Sequence, residues 1–136
     1  MRICIFATPG FCHYDILERI LTPYFAAGLC EIYYRTSSDD ASLKTDACIK
    51  GFALKHRLCY TPFVYHTASQ LLRMKDMFDF TVIIRDCHDE TLDKFTTLMK
   101  LAKFSILSYT YSDEDIRIAR AKKKYNKVTV LPTIRE

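Results

Sequence analysis

Phe80-Thr81-Val82-Ile83-Ile84-Arg85 runs without a break into Asp86-Cys87-His88-Asp89-Glu90-Thr91. A short apolar, β-branched run reads as a strand, and the polar run after it reads as a loop. Residues 89–102 then place Leu92, Phe95, Leu98, Met99 and Ala102 at helical spacing. The same order occurs at the start of the chain. Arg2-Ile3-Cys4-Ile5-Phe6-Ala7 leads into Thr8-Pro9-Gly10 and then a helix-like stretch. A strand that is apolar throughout, rather than alternating, belongs to a sheet covered on both faces.

Outward from these two units, the remainder alternates in the same way. Ile16, Leu17, Ile20, Leu21, Tyr24 and Phe25 predict a helix over 13–27, with Pro23 kinking or shortening it and Gly28 as its stop. Glu31 to Arg35 is a second strand, and residues 36–44 a polar loop. Thr45 or Asp46 is expected to cap the next helix, which runs to about His56 with Ile49, Phe52 and Ala53 inward. Leu58 to Tyr65 is a third strand, with Pro62 marking an edge or a bulge. Thr67 or Ser69 caps a short helix containing Leu71, Leu72, Met74 and Met77. Phe104 to Tyr111 is a fifth strand, residues 113–124 a basic helix opened by Asp113, Glu114 and Asp115, and Val128 to Leu131 a short last strand. Strands alternating with helices predict an α/β chain: a small Rossmann-like three-layer fold with a mostly parallel central sheet, read as one domain over residues 1–136.

Composition agrees with a water-soluble protein. Hydrophobic residues are 49% and charged residues 26% of the 136. No apolar run is long enough to span a bilayer, and the N-terminus lacks the features of a signal peptide, so the expected compartment is cytoplasmic. The six cysteines form no C-x-x-C pair and read as reduced thiols. Cys12-His13 and Cys87-His88 both fall in loops after strands, so two Cys-His pairs meeting at a zinc ion is the alternative for those four. Neither a metal nor another cofactor is expected. Arg117, Arg120, Lys122, Lys123, Lys124, Lys127 and Arg135 make the C-terminal part basic, which suits a solvated helix face or an acidic partner. A net charge of +4 is too small to favour nucleic acid.

Order and loop chemistry together resemble the SLOG superfamily, the Rossmann-like group that includes the LOG, DprA and YspA-like proteins. The resemblance covers residues 1–111. Ala7 to Asp15 follows the first-loop outline of the YspA-like branch, with an aromatic and then an acidic residue beginning the helix. Thr45-Asp46 matches the end of the family's second loop, and Asp86 and Thr91 the acid and threonine of its fourth-strand loop. The resemblance implies binding of a nucleotide-like small molecule by Thr8, Gly10, Tyr14, Thr45, Asp46, Asp86 and Thr91, and a homo-oligomer. Two loops depart from the family by carrying Asp39, Asp40, Asp89 and Glu90 in place of glycines, which puts negative charge where a phosphate would sit. Lys94 stands where the LOG enzymes carry a catalytic glutamate, so glycosidase chemistry is not expected.

The residues themselves leave simpler readings open. Gly10 also serves a tight turn, and Asp46, Asp86, Asp89 and Glu90 also serve as helix caps. Tyr33, Tyr34, Tyr109 and Tyr111 stand at strand ends, where one could stack on a base. His66-Thr67 lacks the spacing of a phosphoesterase element. Three expectations follow. The first is non-enzymatic binding or sequestration of a nucleotide-like molecule at the strand ends. The second is a protein-interaction or inhibitor module, of the kind a phage-encoded accessory protein provides. The third is a nucleotide hydrolase with Asp86 or Glu90 as base.

Overall fold

The computed structural model describes residues 1–35, 39–64 and 67–121. The expected strand over 128–131, the end of the third strand at Tyr65, the His66-Thr67 element as a pair, and Lys122, Lys123, Lys124, Lys127 and Arg135 therefore lie outside the described residues.

Five strands make one sheet: β1 (Arg2–Ala7), β2 (Glu31–Arg35), β3 (Cys59–Phe63), β4 (Phe80–Asp86) and β5 (Ile106–Tyr111). Their order is β3-β2-β1-β4-β5, and every pairing is parallel. The helices are α1 (Tyr14–Leu21), α2 (Asp40–Lys55), α3 (Ala68–Arg73) and α4 (Glu90–Leu101), with α5 covering the described residues 113–121. This is a three-layer, Rossmann-like α/β fold.

Side-chain alternation along buried strands builds two cores. Ile3, Ile5, Ile32, Tyr34, Val82 and Ile84 point to one face, where they meet Ile16, Leu17, Ile20 and Leu21 of α1, Ile49 and Phe52 of α2, and Ile116 and Ala119 of α5. Cys4, Phe6, Tyr33 and Ile83 point to the other, against Leu71 of α3 and Leu92, Phe95 and Met99 of α4. Both faces of β1 and β4 are thus covered, which is why their sequences lack polar alternation.

Most element boundaries follow local chemistry. α1 gives way at Thr22–Tyr24 to a 3₁₀ turn built on Pro23, as its missing N–H requires. Gly28, at φ +90°, then turns the chain toward β2. Thr67 caps α3 in a full capping box with Gln70. Pro62 falls on β3, an edge strand, where its missing N–H costs no ladder bond on the open side.

The start of α2 differs from expectation. Asp39, not Thr45 or Asp46, is its cap, and the expected polar loop already forms the first turn. The Asp39 carboxylate accepts from Ser42 N–H at 2.8 Å and Ser42 Oγ at 3.0 Å, so an aspartate three residues ahead of a serine nucleates the helix earlier than the apolar pattern indicates. Thr45 then falls mid-helix, fully buried, donating back to the Ala41 carbonyl at 3.2 Å. The third and fifth strands also start later than expected, at Cys59 and Ile106, after Arg57 (φ 56°) and Lys103 (φ 63°) end the preceding helices in left-handed turns.

Ile5 is fully buried at the centre of the sheet, whereas Leu101 is 75% exposed on α4. Ile5→Ala should lower unfolding free energy by about 2–5 kcal/mol in urea with an unchanged m-value. Leu101→Ala should stay within about 0.5 kcal/mol of the parent. Equal effects at the two positions would contradict the burial described here.

Candidate functional site

The strand order reverses between β1 and β4, since the chain leaves β1 through α1 on one face and leaves β4 through α4 on the other. A crevice must open beyond the carboxyl ends of the strands at such a point. A cleft of about 490 Å³ lies there, lined by Phe6, Ala7, Thr8 and Pro9 from the end of β1, Tyr34 from β2, Ser42 from the first turn of α2, and Asp89, Thr91, Leu92 and Phe95 from the start of α4. Its size is that of a small-molecule pocket.

Thr8 organises this end of the sheet. Its backbone N–H donates to the Ile84 carbonyl at 3.0 Å, continuing the β1–β4 pairing. Its hydroxyl donates to Asp89 Oδ2 at 2.8 Å and accepts from the Asp86 N–H at 2.9 Å. Asp89 Oδ1 in turn accepts from the Leu92 N–H at 3.0 Å, which caps α4. Arg85 reaches the Asp89 carbonyl at 3.2 Å and lies 4.0 Å from Asp93, so its charge is turned along α4. The loop after β4 is closed by Asp86, whose Oδ1 accepts from His88 N–H at 2.9 Å and whose carbonyl accepts from Asp89 N–H at 3.0 Å.

Of the seven residues expected at the site, the structure brings Thr8 and Thr91 to the cleft wall. Gly10 adopts φ +86° and donates to the Ala41 carbonyl at 3.2 Å, which ties the first loop to α2. Tyr14 packs 6.0 Å from Phe52, with Lys55 Nζ 5.2 Å from its ring centre, among the α1 and α2 side chains. Burial raises its phenol pKa. Thr45 is enclosed in α2, and Asp46 accepts from the Tyr60 hydroxyl, joining α2 to β3. Asp86 serves the loop, as above. The wall residues not anticipated are Phe6, Ser42, Leu92 and Phe95, while Tyr34 is one of the four strand-end tyrosines named as able to stack on a base. Phe95 lies on the inward face of its helix, so periodicity alone assigns it to the core. Its ring centre is 5.0 Å from that of Phe6, and the pair forms the aromatic side of the cleft.

Among the described residues, Asp86, Cys87 and His88 bring their ligand atoms within 4.8 Å of one another, and Cys12 and His13 do not join them. His13 instead packs its ring 5.7 Å from both Phe11 and Tyr111. Burial lowers its pKa below 6.5, Arg120 adds to the fall, and Asp86 opposes it. Tyr111, nearly fully buried, is pushed up to about 12 by burial and then by the Asp86 carboxylate.

Comparison of the chain with family models, curated proteins and solved structures returned no match. Among the described residues, no helix is long and apolar enough to cross a membrane.

Two measurements check this geometry. Thr8→Val keeps the shape but leaves the Asp86 N–H and Asp89 carboxylate short of a partner, and should cost about 1–3 kcal/mol of stability, with Thr8→Ser recovering most of it. A Val variant as stable as the parent would remove the hydroxyl from its organising role. In histidine NMR titrations, His13 should have its midpoint below 6.5. Because the unfolded chain then binds the proton first, His13 should make stability rise with pH between its folded midpoint and 6.5, and add no slope above that. A midpoint above 6.5 would mean that Asp86 outweighs burial.

Proposed function

We propose that this protein binds a nucleotide-like small molecule in the cleft at the carboxyl ends of β1 and β2, and holds it without turnover. The observation that carries this reading is the cleft itself: about 490 Å³ at the reversal of strand order, with Phe6 and Phe95 on one side and Thr8, Ser42, Asp89 and Thr91 as a polar rim. An aromatic wall beside a few convergent polar groups suits a heteroaromatic ring, which packs on an aromatic side chain and is oriented by hydrogen bonds. The resemblance to the SLOG superfamily supports the same ligand class. Retention without chemistry is supported by how the polar groups are used. Thr8 and Asp89 are bonded to each other and to backbone, Asp86 is spent on its own turn, and Glu90 is exposed at the helix start.

Native mass spectrometry of the purified protein, followed by denaturation and small-molecule detection, should release an intact ligand. Calorimetric titration with a panel of nucleosides and nucleotides should then find a binder. Phe95→Ala should weaken that binder about tenfold, the value of one stacking contact. Asp46→Ala should leave its affinity unchanged, because Asp46 faces Tyr60 rather than the cleft. A protein that carries no ligand and binds no member of the panel would end this reading in favour of the partner-binding one.

A further inference from the structure

Both helices that open onto the cleft are capped by the chain's own carboxylates. Asp39 takes the N–H and hydroxyl of Ser42, at 2.8 and 3.0 Å. Asp89 takes the N–H of Leu92 and the hydroxyl of Thr8, at 3.0 and 2.8 Å. Asp40 and Glu90 add charge in the first turns of the same helices. Among the described side chains, Arg85 is directed to the Asp89 carbonyl and Asp93, and it does not line the cleft. A phosphate arriving at either helix N-terminus would therefore meet a carboxylate in the position that favours an anion.

The direction of the hydroxyl protons adds a second constraint. Thr8 and Ser42 each donate to a carboxylate, and Thr8 also accepts from the Asp86 N–H, so what remains on either hydroxyl is acceptor capacity. Asp89 accepts only. Thr91 and Tyr34 also bring hydroxyls to the wall. Thr8, Ser42 and Asp89 thus present acceptors, and their complement is a ligand that turns the two N–H donors of an exocyclic amino group toward them beside an aromatic ring.

We propose that the cleft selects an amino-bearing nucleoside without a phosphate. The proposal rests on the binding reading above and narrows its ligand class. The test is calorimetric titration of the full chain with adenosine and cytidine, which carry an exocyclic amino group, with inosine and uridine, which do not, and with the 5′-monophosphate of each. The wild type, Asp89→Asn and the double variant Asp39→Asn/Asp89→Asn are compared, since asparagine keeps a helix cap while removing its charge. An amino-bearing nucleoside should bind, with its monophosphate and its oxo counterpart each at least about tenfold weaker, and the phosphate penalty should shrink in the variants. A monophosphate that binds the wild type as well as its nucleoside would overturn the proposal, as would a penalty unchanged in both variants or equal binding of the oxo compounds. Silence across the whole panel is a different failure, because it removes the binding reading itself.

Discussion

Everything in this fold depends on β1 being bonded along both edges and covered on both faces. It pairs with β2 from Arg2 to Ile5 and with β4 from Ile3 to Ala7. Its side chains divide strictly: Ile3 and Ile5 enter one core, Cys4 and Phe6 the other. A one-residue slip would exchange these sets and mismatch both helix layers at once, so the register is enforced from two sides. Among the described residues the unpaired edges fall to β3 and β5, the outermost strands, where Pro62 and the exposed Ser108 and Thr110 stand.

From that fixed strand the cleft follows with little freedom. β1 ends at Ala7, and Thr8 carries the pairing one residue further before its hydroxyl joins the β4 loop to the cap of α4. One side chain therefore sets the distance between two loops that leave the sheet in opposite directions. Gly10 plays the matching role toward α2, where a positive φ lets its N–H reach the Ala41 carbonyl. The three walls are referenced to one another by hydrogen bonds within the protein. A ligand entering such a site meets β1, α2 and α4 walls already tied to one another, which lowers the entropic cost of binding.

The fold was more legible in the sequence than the site, for a physical reason. Strand and helix identity comes from periodic burial, which Phe80 to Arg85 and Leu92 to Met99 display over several residues. The cleft comes from single side chains whose partners are distant in sequence: Thr8 lies 81 residues from Asp89. Local patterns do not encode such pairs. Thr45 and Asp46 show the same limit from the other side. They have the composition of a helix cap, but Asp39 and Ser42 form a better one six residues earlier, and the helix then carries Thr45 into the core and Asp46 to Tyr60. Phe95, on the inward face of α4, is both core and cleft wall. A core position next to a strand end serves both purposes, and periodicity cannot separate them.

The acidic loops become intelligible as a consequence of this arrangement. A helix N-terminus leaves N–H groups that some acceptor must satisfy. In a site built for phosphate, the ligand supplies that acceptor, and glycines keep the approach open. Here Asp39 and Asp89 supply it from within, so α2 and α4 are capped whether or not anything is bound. The same two carboxylates that cap the helices of the empty cleft disfavour an anion there. Stability without ligand and affinity for an anion draw on the same N–H groups and the same helix dipoles, so at each N-terminus a gain in the first comes at the expense of the second. On the proposed reading, attraction would come from the Phe6–Phe95 wall and from acceptor lone pairs, both of which act on a ring rather than on a phosphate.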